Sequence, residues 1–297
     1  MNLRYSCDNT QELSMHFQII TLSVPESGKK LRGVYNSFVI LFYISMVVPA
    51  RGQIEMEAGL YGGDSYYIGD LNPNVQFKNA QIAYGAFARY NIDDRWAVKL
   101  GVSEGKVEGN SETTNFLPGR DLQFESAITD VSMTAEFNFF SYFTGSRYNW
   151  ITPYIYGGVG YFHFDPMSGG HRLQPLGTEG QNVGYDGRKP YSLNQVSLPF
   201  GLGVKVSLGK RIGMTAFWEM HKTFTGYIDD VSKTYYLNGP GINANDPSGM
   251  LSDPTRSHTP GMQRGNNNDD WYSFSGLTVS YKFTLRGSRR CKENKRF

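Results

Sequence analysis

The sequence predicts an all-β protein, an eight-stranded antiparallel transmembrane β-barrel with long extracellular loops and short periplasmic turns. Three observations lead to this prediction. Aromatic residues make up 14% of the chain and hydrophobic residues only 39%, a composition typical of β-rich membrane proteins rather than helical bundles. Segments of period-two alternation recur after residue 53, and no useful helical period is found there. The links between these segments alternate between short and long.

The N-terminal region is predicted to be an export signal. An apolar run, Ser37–Ala50, follows a basic stretch and precedes small residues, which is the layout of a secretory signal. The run is shorter than the ~20 residues that a membrane-spanning helix needs, so a single anchoring helix is the weaker alternative. Cleavage is expected between Gly52 and Gln53. The predicted regions are a removed leader and signal peptide (1–52), the barrel (53–285) and a basic periplasmic tail (286–297).

Eight segments carry the alternation, and each is close to the ~9 to 11 residues that a tilted strand needs to cross a bilayer. In the clearest one, every second residue from Val196 to Leu208 is apolar. An even number of strands also lets both ends of the barrel lie on one side of the membrane. The predicted strands are Ile54–Tyr61, Ala80–Tyr90, Trp96–Ser103, Ala127–Phe139, Pro153–Phe164, Gln195–Leu208, Ile212–Phe224 and Trp271–Leu285.

The seven links between the predicted strands differ in length. Alternating short turns and long loops are typical of outer-membrane barrels, whereas a β-sandwich would not produce them. The last loop is rich in Gly, Asn, Asp and Pro, so we expect it to be mobile. The short links are Asn91–Arg95, Ser141–Thr152 and Gly209–Arg211, and the long ones are Gly62–Asn79, Glu104–Gln123, Asp165–Asn194 and Thr225–Asp270.

Alternation alone does not say which face points outward, because a soluble lipocalin-like barrel keeps its apolar face inside. The other face here combines glycine and serine with charges of both signs. We therefore expect that face to line a closed lumen, in which unlike charges pair and side chains fill the space. A proton or ion path is the alternative role for these charges. The predicted lumen charges are Glu55, Glu57, Arg89, Lys99, Glu136, Lys205, Glu219 and Lys282.

Aromatic residues near the predicted strand ends are expected to form girdles at the two membrane interfaces. Ordinary packing is the alternative for each of them. The residues are Tyr61, Tyr90, Trp96, Phe139, Trp150, Tyr161, Phe224 and Tyr272.

Several residues in or near the long loops have side chains that can take part in catalysis. A pair of Asp residues with a His can activate water or a serine, but Asp and Ser are also common loop formers. His163 and His221 lack an Asp, Glu or Cys partner at metal-ligand spacing. We predict no enzymatic activity, cofactor, metal, small-molecule substrate or nucleic-acid partner; the net charge of +2 gives no reason for the last. The loop residues are His171, Asp186, Asp229, Asp230, Ser248 and His258.

The C-terminal tail is strongly basic and, in this topology, periplasmic. It is expected either to be a disordered solubilising end or to contact an acidic periplasmic partner or lipid head groups. Its basic residues are Arg286, Arg289, Arg290, Lys292, Lys295 and Arg296.

Four stretches of the chain resemble one known family. They are TPYIYGGVGYFHFDP (Thr152–Pro166), LQPLGTEGQ (Leu173–Gln181), YSLNQVSLPFGLGVK (Tyr191–Lys205) and TFTGYIDDVSKTYY (Thr223–Tyr236). Together they are similar to the PorG family of OmpA-like outer-membrane barrels in the type IX secretion system of Bacteroidetes. The similarity runs through about residues 54–285.

The resemblance implies a non-catalytic protein of a Gram-negative outer membrane, surrounded by outer-membrane lipids. It further implies association with the periplasmic ring of the PorK lipoprotein and PorN, and through that ring support for the export of cargo proteins. A periplasmic ring would meet the short turns and the tail. The alternative is a general structural or adhesive barrel that displays surface loops.

Overall fold

The computed structural model of the chain describes residues 55–73, 75–114 and 119–284. The predicted signal, its cleavage site and the six basic residues of the tail lie outside these ranges. Within them, none of the helices combines the length and the apolar character needed to cross a membrane. The α-helical segments described are α1 (Ser111–Thr114) and α2 (Pro247–Ser252).

The described chain forms eight long strands and one strand of two residues, β6. Each long strand pairs antiparallel with two neighbours, in the order β4-β3-β2-β1-β9-β8-β7-β5, and β4 also pairs with β5. The strands are β1 (Glu55–Ile68), β2 (Gln81–Asn91), β3 (Trp96–Asn110), β4 (Gln123–Asn138), β5 (Ile151–Ser168), β6 (His171–Arg172), β7 (Asn194–Ser207), β8 (Ile212–Thr223) and β9 (Trp271–Thr284).

The pairing closes the sheet into a barrel. The first and last strands meet along their whole length, from Glu55 opposite Thr284 to Ile68 opposite Trp271, and β4 pairs with β5 over fourteen positions. Closure leaves no long strand with an unpaired edge. The predicted eight-stranded antiparallel barrel is therefore confirmed.

The two ends of the barrel differ, as the alternation of links predicts. Residues 92–95, 139–150 and 208–211 form three turns at one end, where β1 also begins and β9 ends. We call this end the turn side. The other end, which we call the loop side, carries the other four connections, residues 69–80, 111–122, 169–193 and 224–270. The first two are as long as the turn formed by residues 139–150, and the last two are longer.

A band of apolar side chains surrounds the barrel on the outside. Ile82 is 80% exposed and Leu60 is 68% exposed, and outward residues on the other strands follow the same pattern. A continuous exposed apolar surface of this kind is rare on soluble monomers and is the lipid-facing surface of a membrane-spanning barrel. The lipocalin-like alternative, which requires the apolar face inside, is excluded. Further exposed members of the band are Leu100, Met133, Val159, Leu202 and Leu277.

The polarity of both faces reverses toward the loop side. On β3 the outward residues are apolar up to Val102, and the next outward residues are Glu104, Lys106 and Glu108. The inward side chains reverse in the opposite sense. They form a buried apolar core with members Tyr67, Val107, Leu122, Phe124, Ile128, Phe162, Phe164, Tyr272 and Phe274. The wall therefore continues beyond the apolar band as a water-soluble barrel with an ordinary core.

This reversal explains why the predicted strand ends were wrong on the loop side. The prediction ended β1 at Tyr61 and β3 at Ser103, whereas the strands run to Ile68 and Asn110. The period of two continues past those points, but the outward apolar residues that identified the strands do not. The first three loops are accordingly shorter than predicted, whereas the last one, residues 224–270, is not.

The aromatic residues near the strand ends divide into two groups. Two point into the barrel, so their assignment to the girdles was wrong: the ring of Tyr61 packs edge-on against Phe217 at 5.3 Å, and Tyr272 is fully buried. Both occupy inward positions of their strands, and neither can reach lipid. The other six are exposed; they are Tyr90, Trp96, Phe139, Trp150, Tyr161 and Phe224.

Candidate functional site: the lumen, the cap and the turn side

The turn-side part of the lumen holds a cluster of four buried charges, one from each of four strands. Arg89 Nη1 lies 2.9 Å from Glu57 Oε2, and Arg89 Nε lies 2.7 Å from Glu136 Oε2. The same carboxylate oxygen of Glu136 is 2.6 Å from Lys205 Nζ. Strand register produces the first pair directly, because Glu57 on β1 is opposite Arg89 on β2. Two anions and two cations therefore compensate each other out of contact with solvent.

A second group of charges lies nearer the loop side. Lys99 Nζ is 3.5 Å from Glu219 Oε2, and Glu219 Oε1 is 2.9 Å from His221 Nε2. The other imidazole nitrogen, Nδ1, lies 3.7 Å from Asp130 Oδ2. The remaining pair of the predicted set, Lys282 and Glu55, is 3.3 Å apart and only partly buried at the turn-side end. The eight predicted charges thus occupy the lumen as three ion-paired groups.

The lumen is packed rather than open. The ring of Tyr154 lies 4.5 Å from Lys205 Nζ, and the ring of Tyr156 lies 4.7 Å from Lys99 Nζ, so aromatic faces cover both ammonium groups. The cavity bounded by Arg89, Lys99, Glu219 and their neighbours has a volume of about 20 Å³. That is room for one or two water molecules at most. The arrangement holds charges in fixed pairs and offers no wide passage.

Sequence reasoning missed a polar group next to these charges. Ser197 Oγ lies 3.3 Å from His221 Nδ1, and the hydroxyl of Tyr272 donates to Asp130 Oδ2 at 3.0 Å. Asp130 occupies the same inward register of β4 as Glu136, and that spacing was the signal that pointed to it. The Ser–His–acid order is familiar from hydrolases, but all four side chains are fully buried, so no substrate can reach the serine.

On the loop side, the two longest loops fold together over the barrel. We call residues 173–187 and 224–270 the cap. The hydroxyl of Tyr67, at the end of β1, lies 2.5 Å from Asp229 Oδ2 and 3.1 Å from Asp270 Oδ1. Asp270 Oδ2 also accepts the backbone N–H of Ile228 at 2.9 Å. The last loop is therefore anchored to the barrel wall at both its start and its end.

Glu179 links the two halves of the cap. Its carboxylate accepts the backbone N–H groups of Ser232 and Lys233, each at 2.9 Å, and it lies 3.3 Å from Arg264 Nη1. Thr178 beside it donates to Asp230 Oδ2. We expected residues 225–270 to be mobile, but these contacts indicate an ordered loop, because buried carboxylates bind it at several points. Composition does not reveal such anchors.

Burial changes the protonation of the acids under the cap. Desolvation raises the pKa of Asp230 to about 6, against the opposing effect of Arg264 and of the hydroxyls that donate to it. Desolvation likewise raises the pKa of Asp70 to about 6. Desolvation also raises the pKa of Asp229, with a further contribution from Asp70, and it raises the pKa of Asp270, with further contributions from Asp229 and Asp70. Burial therefore favours the protonated form of these four carboxyl groups.

The loop residues with catalytic side chains do not form a site. His171 and Asp186 are exposed, whereas Asp229 and Asp230 are buried anchors. His258 stacks on Tyr235 at 4.1 Å and contacts Asp253. Ser248 donates to a backbone carbonyl, and in the described ranges no hydrogen bond joins any two of the six. Nor do those ranges contain a group of three His, Cys, Asp or Glu residues that could hold a metal; exposed His163 contacts Asn194.

Comparison with solved structures returns outer-membrane barrels. The chain is 12% identical to the N-terminal β-barrel domain of OprF from Pseudomonas aeruginosa, with 78% of this chain and 98% of that chain covered and a TM-score of 0.36. It is 10% identical to Neisserial surface protein A, with 78% of this chain and 98% of that chain covered and a TM-score of 0.40. It is 12% identical to Ail of Yersinia pestis, with 78% of this chain and 100% of that chain covered and a TM-score of 0.38. Likeness at this level assigns neither a function nor a partner.

No curated protein sequence matches the chain. A family model does: the one described as a domain of unknown function, DUF6089, matches residues 35–238. The match covers more than half of the chain, including β1 to β8 and the first part of the cap. The chain therefore belongs to the DUF6089 family.

Proposed function

We propose that this chain is a non-enzymatic outer-membrane component of the type IX protein secretion system of Bacteroidetes, which holds the periplasmic PorK and PorN ring at the membrane and so supports cargo export. The observation that carries the proposal is the packed lumen. A cavity of about 20 Å³ among paired charges passes no protein, so the barrel acts through its surfaces. A barrel that anchors a periplasmic complex needs to be stable and needs a binding surface at one end.

The stretches that resemble the PorG family support the proposal by their position. The Leu173–Gln181 and Thr223–Tyr236 stretches meet in the cap, where Thr178 and Glu179 from the first bind Asp230 and Ser232 from the second. The two stretches that carry the resemblance therefore belong to one hydrogen-bonded structure, the cap.

The test is deletion of the gene followed by complementation. With wild-type protein restored, cargo with C-terminal sorting domains is expected at the cell surface, and PorK and PorN are expected to co-purify with the barrel. Without it, cargo is expected to accumulate in the periplasm. Normal surface delivery of cargo in the deletion strain would contradict the proposal. A variant that lacks residues 286–297 tests the tail separately: unchanged co-purification removes the tail from the contact.

The second candidate is a general structural or adhesive barrel that displays its loops, and the tightly bonded cap favours it over a mere pore. It predicts a different result from the same strains. Cargo delivery stays normal, and attachment or envelope integrity is lost when the cap is removed. The first proposal thus requires the turn side for function, whereas the second requires the loop side.

A further inference from the structure

Residues 139–150, which connect β4 and β5, form the longest of the three turns, and they lie across the turn-side mouth of the barrel. We call this segment the mouth turn. The Thr144 hydroxyl reaches into the lumen and donates to Glu57 Oε1 at 2.7 Å. The N–H of Gly145 donates to Ser207 Oγ, at the end of β7, at 2.8 Å. The N–H of Tyr142 donates to the Asp94 carbonyl in the β2–β3 turn at 3.0 Å.

These three bonds fix the mouth turn on different sides of the barrel. Gly145 has a φ of +99°, and a Cβ there would lie 2.4 Å from the Lys210 carbonyl oxygen, so the turn packs directly on the β7–β8 turn. Its tip is ordered as well, because Ser146 Oγ accepts the N–H groups of Tyr148 and Asn149. The surface is therefore preorganised, which lowers the entropic cost of binding a partner.

The mouth turn exposes aromatic residues and a cation. Tyr148 at its tip is 94% exposed, and Phe140 is 60% exposed. Arg147 is exposed, and no ion pair to it is found in the described ranges. Tyr, Trp and Arg are the residue types enriched at the centres of protein interfaces. Phe143 is also exposed; Phe139 and Trp150, the remaining exposed aromatic residues of the segment, are assigned to the predicted girdle and not to the docking surface.

The charge of the turn side indicates the chemistry of a partner. The three turns together contain two carboxylates, Asp93 and Asp94, and four cations. Asp93 Oδ1 accepts the N–H groups of Arg95 and Trp96 but keeps its charge, so the three turns carry two more positive than negative side chains. The surface therefore attracts an acidic partner. The four cations are Arg95, Arg147, Lys210 and Arg211.

The position of the mouth turn favours a protein over a lipid surface. Lipid contacts the outside wall of a barrel, whereas this segment is tied to the lumen and to turns on other sides of the mouth, and its tip lies beyond the strand ends. We propose that the mouth turn, with Arg147 and Tyr148 at its tip, is the docking site for an acidic surface of a periplasmic protein. The inference rests on the proposed function in one respect: the PorK and PorN ring is the partner to be tested.

The experiment compares two tip variants with two loop-side controls in the full-length protein. Arg147→Glu and Tyr148→Ala change the tip; Lys189→Glu and Val183→Ala make similar changes at exposed positions of the loop-side connection between β6 and β7. Each is expressed in the deletion strain, and the migration shift on boiling in detergent verifies folding. Both tip variants are expected to reduce co-purified PorK and PorN at least about tenfold, while both controls stay within about twofold of wild type. High salt is expected to weaken the wild-type interaction.

Two results would overturn the inference. If wild-type protein retains the ring and the folded tip variants retain it equally, the mouth turn is not the docking site, although the proposed function stands. If the tip variants instead lose binding to vesicles of phosphatidylglycerol while keeping the ring, the surface belongs to lipid. Absence of the ring from the wild-type preparation contradicts the proposed function itself, which distinguishes the two failures.

Discussion

Glu136 is the charge on which the cluster of Glu57, Arg89, Glu136 and Lys205 in the lumen depends most. Its carboxylate contacts two cations, Arg89 and Lys205, and all three side chains are almost completely buried. Glu136→Gln keeps the size and most of the hydrogen-bonding capacity of the side chain but removes its charge. The lumen is left with Glu57 as the only carboxylate of that cluster facing two cations. We expect a large loss of stability.

The magnitude follows from the two ion pairs. With charge centres about 4 Å apart and an effective dielectric constant of about 20, each pair contributes about 4 kcal/mol of attraction, or about 8 kcal/mol together. Removing the carboxylate also removes its own desolvation cost of several kcal/mol. The net loss in the free energy of unfolding is therefore about 3 to 5 kcal/mol, the range expected when one partner of a buried ion pair is removed.

The assay is urea unfolding of the barrel in lipid vesicles, followed by tryptophan fluorescence and by the migration shift on boiling. Glu125→Gln is the matched control, because it makes the same change on the same strand in an exposed pair with Lys106 and should cost about 1 kcal/mol or less. Adding Lys205→Met to Glu136→Gln restores charge balance and is expected to recover at least about 2 kcal/mol. The reasoning is refuted if Glu136→Gln behaves like the control, or if the double variant is no more stable than the single one.

Three further predictions concern the band and the cap. Leu100→Arg places a charge on the lipid-facing band and should destabilise the inserted barrel by about 2 to 4 kcal/mol, whereas Glu104→Arg, just beyond the band, should cost about 1 kcal/mol or less in the same urea assay. Tyr67→Phe removes the hydroxyl between Asp229 and Asp270 and should make the cap cleavable by protease at least about fivefold faster, with the barrel still folded. Because the folded-state pKa of Asp230 is raised to about 6 from 3.8, its carboxyl favours the closed cap below about pH 4, and that contribution is lost as the pH rises to about 6. Hydrogen exchange in the cap, corrected for intrinsic rates, should therefore speed up over this interval. Asp230→Asn should reduce the change, with Asp70, whose pKa is also raised to about 6, contributing the rest; a profile unchanged in Asp230→Asn would exclude Asp230 as a titrating group.

The sequence was sufficient to predict the barrel because one physical signal governs the membrane-spanning part of the wall. Lipid outside and packed charges inside produce alternation at every second residue, and Val196 to Leu208 shows it without interruption. The same alternation predicted that Glu57, Arg89 and Glu136 lie on the inward face of the barrel. It did not give their pairing, because the contact between Glu136 and Lys205 joins β4 to β7, which are not neighbouring strands.

Beyond the membrane band, the same reasoning failed for an identifiable cause. Val107 and Phe124 are inward apolar residues outside the predicted strands, so a search for outward apolar residues did not assign these parts of the loop-side wall to strands. The cap was harder still. Its anchors, Asp229 with Tyr67 and Glu179 with Ser232, join residues more than fifty positions apart, and Gly- and Asn-rich composition obscures such long-range bonds. The mouth turn was predicted only as a short link, since its reach across the mouth depends on Thr144 meeting Glu57 in three dimensions.

Thr144 connects the two features of the barrel that matter most for the proposed function. Glu57 is at once a partner of Arg89 in the lumen and the acceptor for the Thr144 hydroxyl. The charge cluster that closes the lumen therefore also holds the mouth turn in place. The hydrogen bond between Thr144 and Glu57 does not suit a lumen that conducts solutes, because it holds the mouth turn across the opening. An anchor gains from it directly, since the stability of the buried ion pairs keeps Arg147 and Tyr148 in a fixed position toward whatever lies on the turn side.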